Sequence, residues 1–297
     1  MQSEPLGIFG EVLFDRFADG ARILGGAPFN VAWHLQAFGQ SPVFISRIGN
    51  DSAGDEIRTA MRRWGMSDAA LQTDPQHPTG TVAVTISDGE PHYEILDNQA
   101  YDFIDPATLA KLDCRLLYHG SLALRHPVSR QALETLKSRH RGKIFMDVNL
   151  RAPWWDKDLL SAWMADADWV KLNDQELQQL LPGNASLESK MRYFMDQYRL
   201  EGLVVTLGSQ GALAIGANRE LLRVTPTSDV RVVDTVGAGD AFAAVLLMGI
   251  AQGWPLPLTM ERAQDFASAL VGVRGATVQN PDFYLRFVRD WQQDAEA

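Results

Sequence analysis

The sequence predicts an α/β fold of three layers: a Rossmann-like, mostly parallel sheet with helices on both faces, plus a small accessory β-sheet. Two observations predict it. Short apolar runs alternate with longer amphipathic segments along most of the 297 residues. Two stretches, near 11–25 and 79–97, break that alternation with short β-like runs around turn signals. The chain has no internal repeats, low-complexity segments or clear linkers. Residues 1–297 are therefore read as a single domain. The two stretches read either as surface hairpins or as a lid over the strand ends.

Composition narrows the function classes. Apolar residues make up 46% and charged residues 22%, which is globular composition. Lys and Arg number 27 against 37 Asp and Glu, giving a net charge of −10. With no basic run, that balance argues against nucleic acid or an anionic membrane as partner, while allowing an anion in a local pocket. Cys114 is the only cysteine, so there is no intrachain disulfide and no cysteine-based zinc site. The opening MQSEPLGIFG lacks the basic-then-apolar pattern of a signal peptide. The longest apolar run, Ala241–Ala251, is well short of the roughly 20 residues of a membrane span. A cytoplasmic protein is the expectation.

Taken in order, Leu6–Gly10 reads as a strand. Asp15, just beyond it, suits two sugar hydroxyls or a solvated loop. Val12–Leu24 holds two apolar runs around Asp19-Gly20. Gly25-Gly26-Ala27-Pro28-Phe29-Asn30 makes a sharp turn into a helix over Pro28–Phe38. Asn30, in its first turn, can hydrogen-bond a polyol or simply start the helix. His34, at helical spacing from Asn30 and Phe38, is expected to be partly buried. Val43–Ile48 reads as a strand, Asp55–Trp64 as a helix, and Thr79–Leu96 as a hairpin around Asp88-Gly89. Strands follow over Leu116–His119 and Lys143–Asn149, with a helix over Ser129–Arg139 between them. In Asp147-Val148-Asn149-Leu150-Arg151, Asn149 and Arg151 can contact hydroxyls or a phosphate, or form a turn and a surface ion pair.

Trp169–Lys171 reads as a strand, with helices over Asp174–Leu181 and Leu187–Tyr198. Asn173 and Glu176 have the spacing of a helix-capping box; they can equally reach phosphate oxygens and organise a hydrated Mg2+. Strands over Leu203–Thr206 and Ala212–Ile215 flank Thr206-Leu207-Gly208-Ser209-Gln210-Gly211, a turn able to wrap a nucleotide. Helices over Ala241–Ala251, Met260–Val273 and Asp282–Gln292 complete the pattern. Ligands of parallel sheets sit beyond the carboxyl ends of the strands, so motifs that follow strands are the site candidates.

The strongest is Val232–Ile250, VVDTVGAGDAFAAVLLMGI. A strand-like start meets Gly237, Ala238, Gly239 and Asp240, then an almost wholly apolar helix that must be buried. Glycines let backbone approach a ligand, and free N–H groups at a positive helix end make an anion site. Asp240 at that spot either caps the helix or accepts a proton from a hydroxyl while the N–H groups hold a transferring phosphoryl group. The helix end is expected to keep Asp240 ionised, hence a weak base. No G-x-x-x-x-G-K-[ST], no G-x-G-x-x-G after the first strand and no G-x-S-x-G appears, which excludes a P-loop enzyme and disfavours dinucleotide dehydrogenases and α/β-hydrolases. The histidines show no H-x-x-x-H pairing.

In combination these motifs resemble the ribokinase-like (PfkB) carbohydrate kinase family over nearly the whole chain. Gly25–Asn30 with Gly39 is similar to its N-terminal signature, and Gly49-Asn50-Asp51-Ser52-Ala53-Gly54-Asp55 to its G-x-D-x-x-G-D block. Asn173–Glu176 matches N-x-x-E, Thr206–Gly211 matches T-x-G-x-x-G, and Asp234-Thr235-Val236-Gly237-Ala238-Gly239-Asp240 matches D-T-x-G-A-G-D. Within the family, Asn98-Gln99-Ala100-Tyr101-Asp102, Gly120-Ser121 and Asp147–Trp154 most resemble fructokinases. The resemblance implies a ribokinase-like fold and transfer of the γ-phosphoryl of ATP to a primary hydroxyl of a small sugar, with fructose as the expected substrate. It implies Asp240 as base and Gly237, Ala238 and Gly239 as anion hole. Asp15, Gly26, Asn30 and Arg151 would hold the sugar, Asn173, Thr206, Gly208 and Gly211 the ATP, and Glu176 would act through Mg2+. Asp234, Val236 and Gly275 match positions for a monovalent cation such as K+. A homodimer is compatible with the resemblance. Two departures bear on the sugar: His92-Tyr93 stand where many fructokinases carry an arginine, and Arg151-Ala152-Pro153-Trp154-Trp155 is bulky and aromatic. Kinases for ribose, 2-keto-3-deoxygluconate or a nucleoside, and a catalytically silent sugar-binding protein, remain alternatives.

Overall fold

A computed structural model describes residues 4–87, 90–226 and 230–296. The Asp88-Gly89 turn expected from the sequence lies outside them. In chain order the elements are β1 (Leu6–Phe9), β2 (Leu13–Phe17), β3 (Arg22–Gly25), α1 (Ala27–Ala37), β4 (Val43–Gly49), α2 (Ser52–Arg63), β5 (Leu71–Asp74), β6 (Gly80–Ser87) and β7 (Glu90–Ile95). Then come β8 (Leu116–His119), α3 (Pro127–Arg139), β9 (Lys143–Asp147), α4 (Lys157–Ala165), β10 (Trp169–Asn173), α5 (Asp174–Leu180) and α6 (Leu187–Tyr198). The last are β11 (Gly202–Thr206), β12 (Ala212–Ile215), β13 (Leu221–Val224), α7 (Ala238–Gln252), α8 (Leu256–Val271) and α9 (Asp282–Glu296).

The large sheet has nine strands in the order β13-β12-β11-β10-β9-β8-β1-β4-β5. From β11 to β5 neighbours pair in parallel, and β12 alone runs against the rest. The two-residue period of the strands supplies two cores. Leu6, Ile8, Phe44, Leu116, Tyr118 and Phe145 face one side, under α1, α2, α7, α8 and α9. Phe9, Ile45, Leu117, Met146, Val170 and Leu172 face the other, under α3, α4, α5 and α6. Burial on both faces explains why these strands read as continuous apolar runs rather than alternating ones. Helix α7 is buried from Ala241 through Gly249 and packs between α1 and α8. A four-stranded sheet, β3-β2-β6-β7, stands apart and holds both stretches that broke the alternation.

Several boundaries differ from the sequence reading. Strand β9 stops at Asp147, because Asn149 adopts a φ of 43°. Helix α2 starts at Ser52, where the Asp51 carboxylate accepts the Gly54 N–H. Strands β5 and β13 and helix α4 carry weak patterns and were not anticipated. His34 is fully buried, not partly: its ring nitrogens lie 3.0 Å from Tyr284 Oη and 3.0 Å from the Ala276 carbonyl. Burial pushes its pKa down to about 3, so it is a neutral strut between α1 and α9. Among the described residues no helix is long and apolar enough to cross a membrane.

Candidate active site

The carboxyl ends of the parallel strands share one edge of the large sheet, and the motifs gather there. Strand β1 leads into Gly10-Glu11, β4 into Asn50-Asp51, β8 into Gly120-Ser121, β9 into Val148–Arg151, β10 ends at Asn173 and β11 at Thr206.

Above that edge stands the N-terminus of α7. Gly237 precedes its first turn with φ +80°, and a Cβ there would lie 2.4 Å from Ala276 Cα. Only glycine fits that approach. The helix begins at Ala238, so Ala238, Gly239 and Asp240 form its first turn instead of preceding it. The strand-like start at Val232 is not a strand. Val232 and Val233 are exposed, and the N–H groups of Val233 and Asp234 bond the Val271 carbonyl. A helix's first N–H groups have no intrahelical acceptor and carry its positive end. Here Gly239 is exposed, so that end opens outward.

Asp240 does not cap α7. Its Oδ2 accepts a 2.8 Å hydrogen bond from Asn30 Nδ2 on α1. The sequence led to an expectation of a firmly ionised carboxylate, and the structure corrects it. Burial, aided by the nearby Asp147 charge, pushes the Asp240 pKa up to about 6 against the bond from Asn30 and the charges of Lys171 and Arg151. The Asp240 side chain turns toward α1 and leaves the helix end unfilled.

Sequence reasoning missed Lys171. Its Nζ donates to Asp147 Oδ2 at 2.8 Å, and both side chains are buried. The two residues are register partners on adjacent parallel strands. A Cβ on Gly239 would lie 3.7 Å from the ammonium, which places it against the opening turn of α7. Burial disfavours the Lys171 charge, but Asp147, Asp240 and Glu176 more than offset it and raise its pKa. A lone lysine inside the apolar run WVKLN was the only signal.

On the other flank, Gly26 has φ +108°, and a Cβ there would lie 2.7 Å from the Glu11 carbonyl. Asn30 is buried. Asp15 lies half-buried on β2, its pKa raised by burial against the pull of Arg151. Arg151 is exposed and makes no ion pair among the described residues, contrary to the surface-pair alternative; its NH1 donates to the Leu150 carbonyl at 3.5 Å. Its charge is nonetheless felt by Glu11, Asp15 and Asp240. Glu11, also missed as a candidate, is 2% exposed, and burial pushes its pKa up to about 7. Trp154 packs against the Leu13, Val82 and Tyr101 cluster at the base of the small sheet, with the Arg125 guanidinium 4.4 Å above its ring. His92 and Tyr93 lie exposed on the edge strand β7.

Asn173 and Glu176 do form a capping box. Asn173 Oδ1 accepts the Glu176 N–H, and Glu176 Oε2 accepts the Asn173 N–H. Glu176 Oε1 also accepts the Leu150 N–H, tying this turn to the strand end before Arg151. Burial raises the Glu176 pKa despite those bonds. Thr206 ends β11, Gly208–Gln210 form an exposed turn, and Gly211 sits at φ +90° where a Cβ would meet the Val224 carbonyl at 2.0 Å. Asp234 accepts the Val236 N–H with Oδ1 and the Gly275 N–H with Oδ2, joining two loops beside Gly237. Among the described residues no group of three or more His, Cys, Asp or Glu could hold a metal ion.

The sequence and the fold are similar to those of known proteins. The chain is 32% identical over 260 residues to a fructokinase of Klebsiella pneumoniae, covering 82% of this chain and 83% of that one. It is 30% identical over 299 residues to fructokinase-1 of Oryza sativa subsp. japonica, covering 90% of each. A Vibrio cholerae O395 fructokinase double mutant, solved in its fructose, ADP and potassium ion bound form, superposes with a TM-score of 0.81 at 26% identity, covering 96% of this chain and 99% of that one. The pattern of a pfkB family carbohydrate kinase matches residues 9–282. The α/β sheet, the small second sheet and the glycine-rich start of a buried helix thus have one explanation: the chain belongs to the pfkB family of carbohydrate kinases, which makes it a sugar phosphotransferase.

Proposed function

We propose that the protein transfers the γ-phosphoryl group of ATP to a primary hydroxyl of a small sugar, with fructose the leading candidate. The observation that carries this reading is the meeting of Asp240, Asn30 and the Lys171 ammonium at the open N-terminus of α7. Asp240 takes the hydroxyl proton as the sugar oxygen bonds to phosphorus and the bond to the ADP oxygen breaks. A base of pKa about 6 is mostly ionised at neutral pH and is stronger than an ordinary aspartate. The N–H groups of the turn over Gly237, Ala238 and Gly239, with Lys171 beside them, stabilise the charge on the transferring group.

Asp15, Gly26, Asn30 and Arg151 hold the sugar. Asn173, Thr206, Gly208 and Gly211 hold ATP; the Asn173 amide nitrogen remains for a phosphate oxygen once its Oδ1 has capped α5. The donor set suits Mg2+ carried by phosphates and water, because Glu176 already accepts two backbone N–H groups and no group of three or more acids among the described residues forms a cage. Bound there, Mg2+ neutralises phosphate charge. Asp234, Val236 and Gly275, brought together because Asp234 accepts the Val236 and Gly275 N–H groups, would hold a monovalent cation such as K+. Residues 1–297 act as one kinase domain, with segments 11–25 and 79–97 as the lid that excludes water from the reaction.

The test is ADP release with fructose, ribose, a nucleoside and 2-keto-3-deoxygluconate. Turnover highest on fructose is expected. Turnover on none of them would favour the silent sugar-binding alternative.

A further inference from the structure

Three buried polar atoms on the sugar flank of the cleft have no hydrogen-bond partner among the described residues: Glu11 Oε2, Tyr101 Oη and Asn30 Oδ1. Glu11, Tyr101 and Asn30 are respectively 2%, 0% and 5% exposed. Folded proteins leave only a few such atoms unpaired, because their lost hydration is not returned, so three in one neighbourhood call for a partner.

The three belong to one neighbourhood. Asn30 bonds Asp240 directly. The Glu11 carboxylate is close enough to Asp240 to raise the pKa of Glu11, and close enough to Tyr101 to raise that of the phenol. The backbone N–H groups of Glu11 and Ala123 hold one side of the carboxylate, so its free oxygen keeps a defined direction. Tyr101 is fixed as well: its ring lies 2.8 Å from where a Cβ on Gly80 would sit, so only glycine at that position admits it. Charge adds a second constraint. Glu11, Asp15 and Asp240 share this flank with Arg151 as the one cation that Glu11, Asp15 and Asp240 all sense, and Lys171 is engaged by Asp147.

We propose that Glu11 is the specificity-determining residue of the sugar pocket: with Tyr101 Oη and Asn30 Oδ1 it reads the hydroxyls of an uncharged polyol and rejects sugars bearing a carboxylate or phosphate. A hydroxyl both donates and accepts, so it satisfies the carboxylate, the phenol and the amide oxygen together. An anionic substituent would be left against the carboxyl groups of Glu11, Asp15 and Asp240. Sites built to bond a hydroxyl discriminate strongly because their own polar groups are stranded when it is missing.

This inference rests on the kinase reading above, and the experiment separates the two. Wild-type turnover on fructose or another neutral sugar tests the reading. Glu11→Gln tests the inference, with kcat and KM measured on the best neutral sugar, on its monodeoxy analogues and on 2-keto-3-deoxygluconate. We expect KM for the neutral sugar to rise roughly tenfold with kcat within about threefold. That penalty should vanish on one deoxy analogue, the one lacking the hydroxyl Glu11 reads, and discrimination against the keto acid should fall. Unchanged KM, or an equal loss on every deoxy analogue, overturns the assignment, as does a wild-type preference for the keto acid over every neutral sugar. Tyr101→Phe removes a single oxygen and gives the same readout should Glu11→Gln fold poorly. Its KM should rise while ADP affinity stays unchanged.

Discussion

At the N-terminus of α2, the Asp51 carboxylate accepts the Gly54 N–H at 2.8 Å, the Thr79 N–H at 2.9 Å and the Thr79 hydroxyl at 2.7 Å. At the N-terminus of α7, Asp240 accepts one side-chain amide from another helix and none of its own first-turn N–H groups. Both aspartates stand in glycine-rich turns at the same edge of the sheet. Burial opposes ionisation of both. At Asp51 the bonds from Thr79, Gly54 and Ala53 outweigh it and its pKa falls; at Asp240 burial prevails and the pKa rises to about 6. A carboxylate whose lone pairs are filled by its own backbone is fastening the fold. One that leaves its helix uncapped keeps both itself and the helix end available for a substrate.

The sharpest way to break this contrast is to neutralise Asp240. Asp240→Asn preserves the Asn30 bond in shape, and kcat should fall by roughly 10²–10⁴-fold with sugar KM little changed. Near-normal kcat would mean Asp240 is no more reactive than Asp51. A somewhat smaller effect is expected when the ammonium at the same helix end is removed. Lys171→Met alone would strand Asp147, so it is best paired with Asp147→Asn, which leaves no lone buried charge. The double variant should stay folded, checked by its thermal midpoint, while kcat drops about 10²–10³-fold. A folded double variant with full activity would confine Lys171 to a structural ion pair.

Asp51 should behave in the opposite manner. Asp51→Ala removes the α2 cap and unpairs the Thr79 hydroxyl and N–H, at a cost of roughly 2 kcal/mol in stability. Denaturant titration measures it, and kcat per folded molecule should stay within about threefold. A loss of kcat without loss of stability would reverse the roles assigned to the two aspartates.

How much of this was legible in the sequence differs between the two helix ends. The buried character of α7, its glycines and Asp240 stand in one contiguous string, so local chemistry sufficed. The same holds for the Asn173–Glu176 box and the Gly208–Gly211 turn. Lys171 needed strand order, because its partner Asp147 is adjacent only once β9 and β10 pair in register. Glu11 needed three dimensions too: nothing about an acid after a strand says that its outer oxygen will be left bare. Asp240's raised pKa escaped for the same reason, since its burial and the balance of Asn30, Asp147, Lys171 and Arg151 around it arise only in the folded chain. Strand β5 was missed because LQTD alternates weakly and leans on β4 for its place.

The smallest effect follows from those opposite shifts. A carboxyl whose pKa is raised in the fold binds its proton more tightly there than in the unfolded chain, so stability falls as pH climbs from the unfolded value near 4 through about 6. Ionising Asp240 is therefore a strain the fold carries at neutral pH, and Asp240→Asn should relieve it. The midpoints of wild type and variant should coincide near pH 4 and separate by a few degrees, variant higher, by pH 7. Asp51 carries the reverse sign. Its contribution is present above the unfolded value and is lost as pH falls through its depressed folded pKa. Asp51→Ala should thus lower the midpoint most at neutral pH, and the gap should narrow in acid. Differential scanning calorimetry from about pH 2 to about pH 8 measures both curves, the acid arm reading Asp51 and the arm above about pH 4 reading Asp240. Two curves of the same sign would show that these aspartates do the same work, and the distinction between a fastening acid and a reactive one would fail at its root.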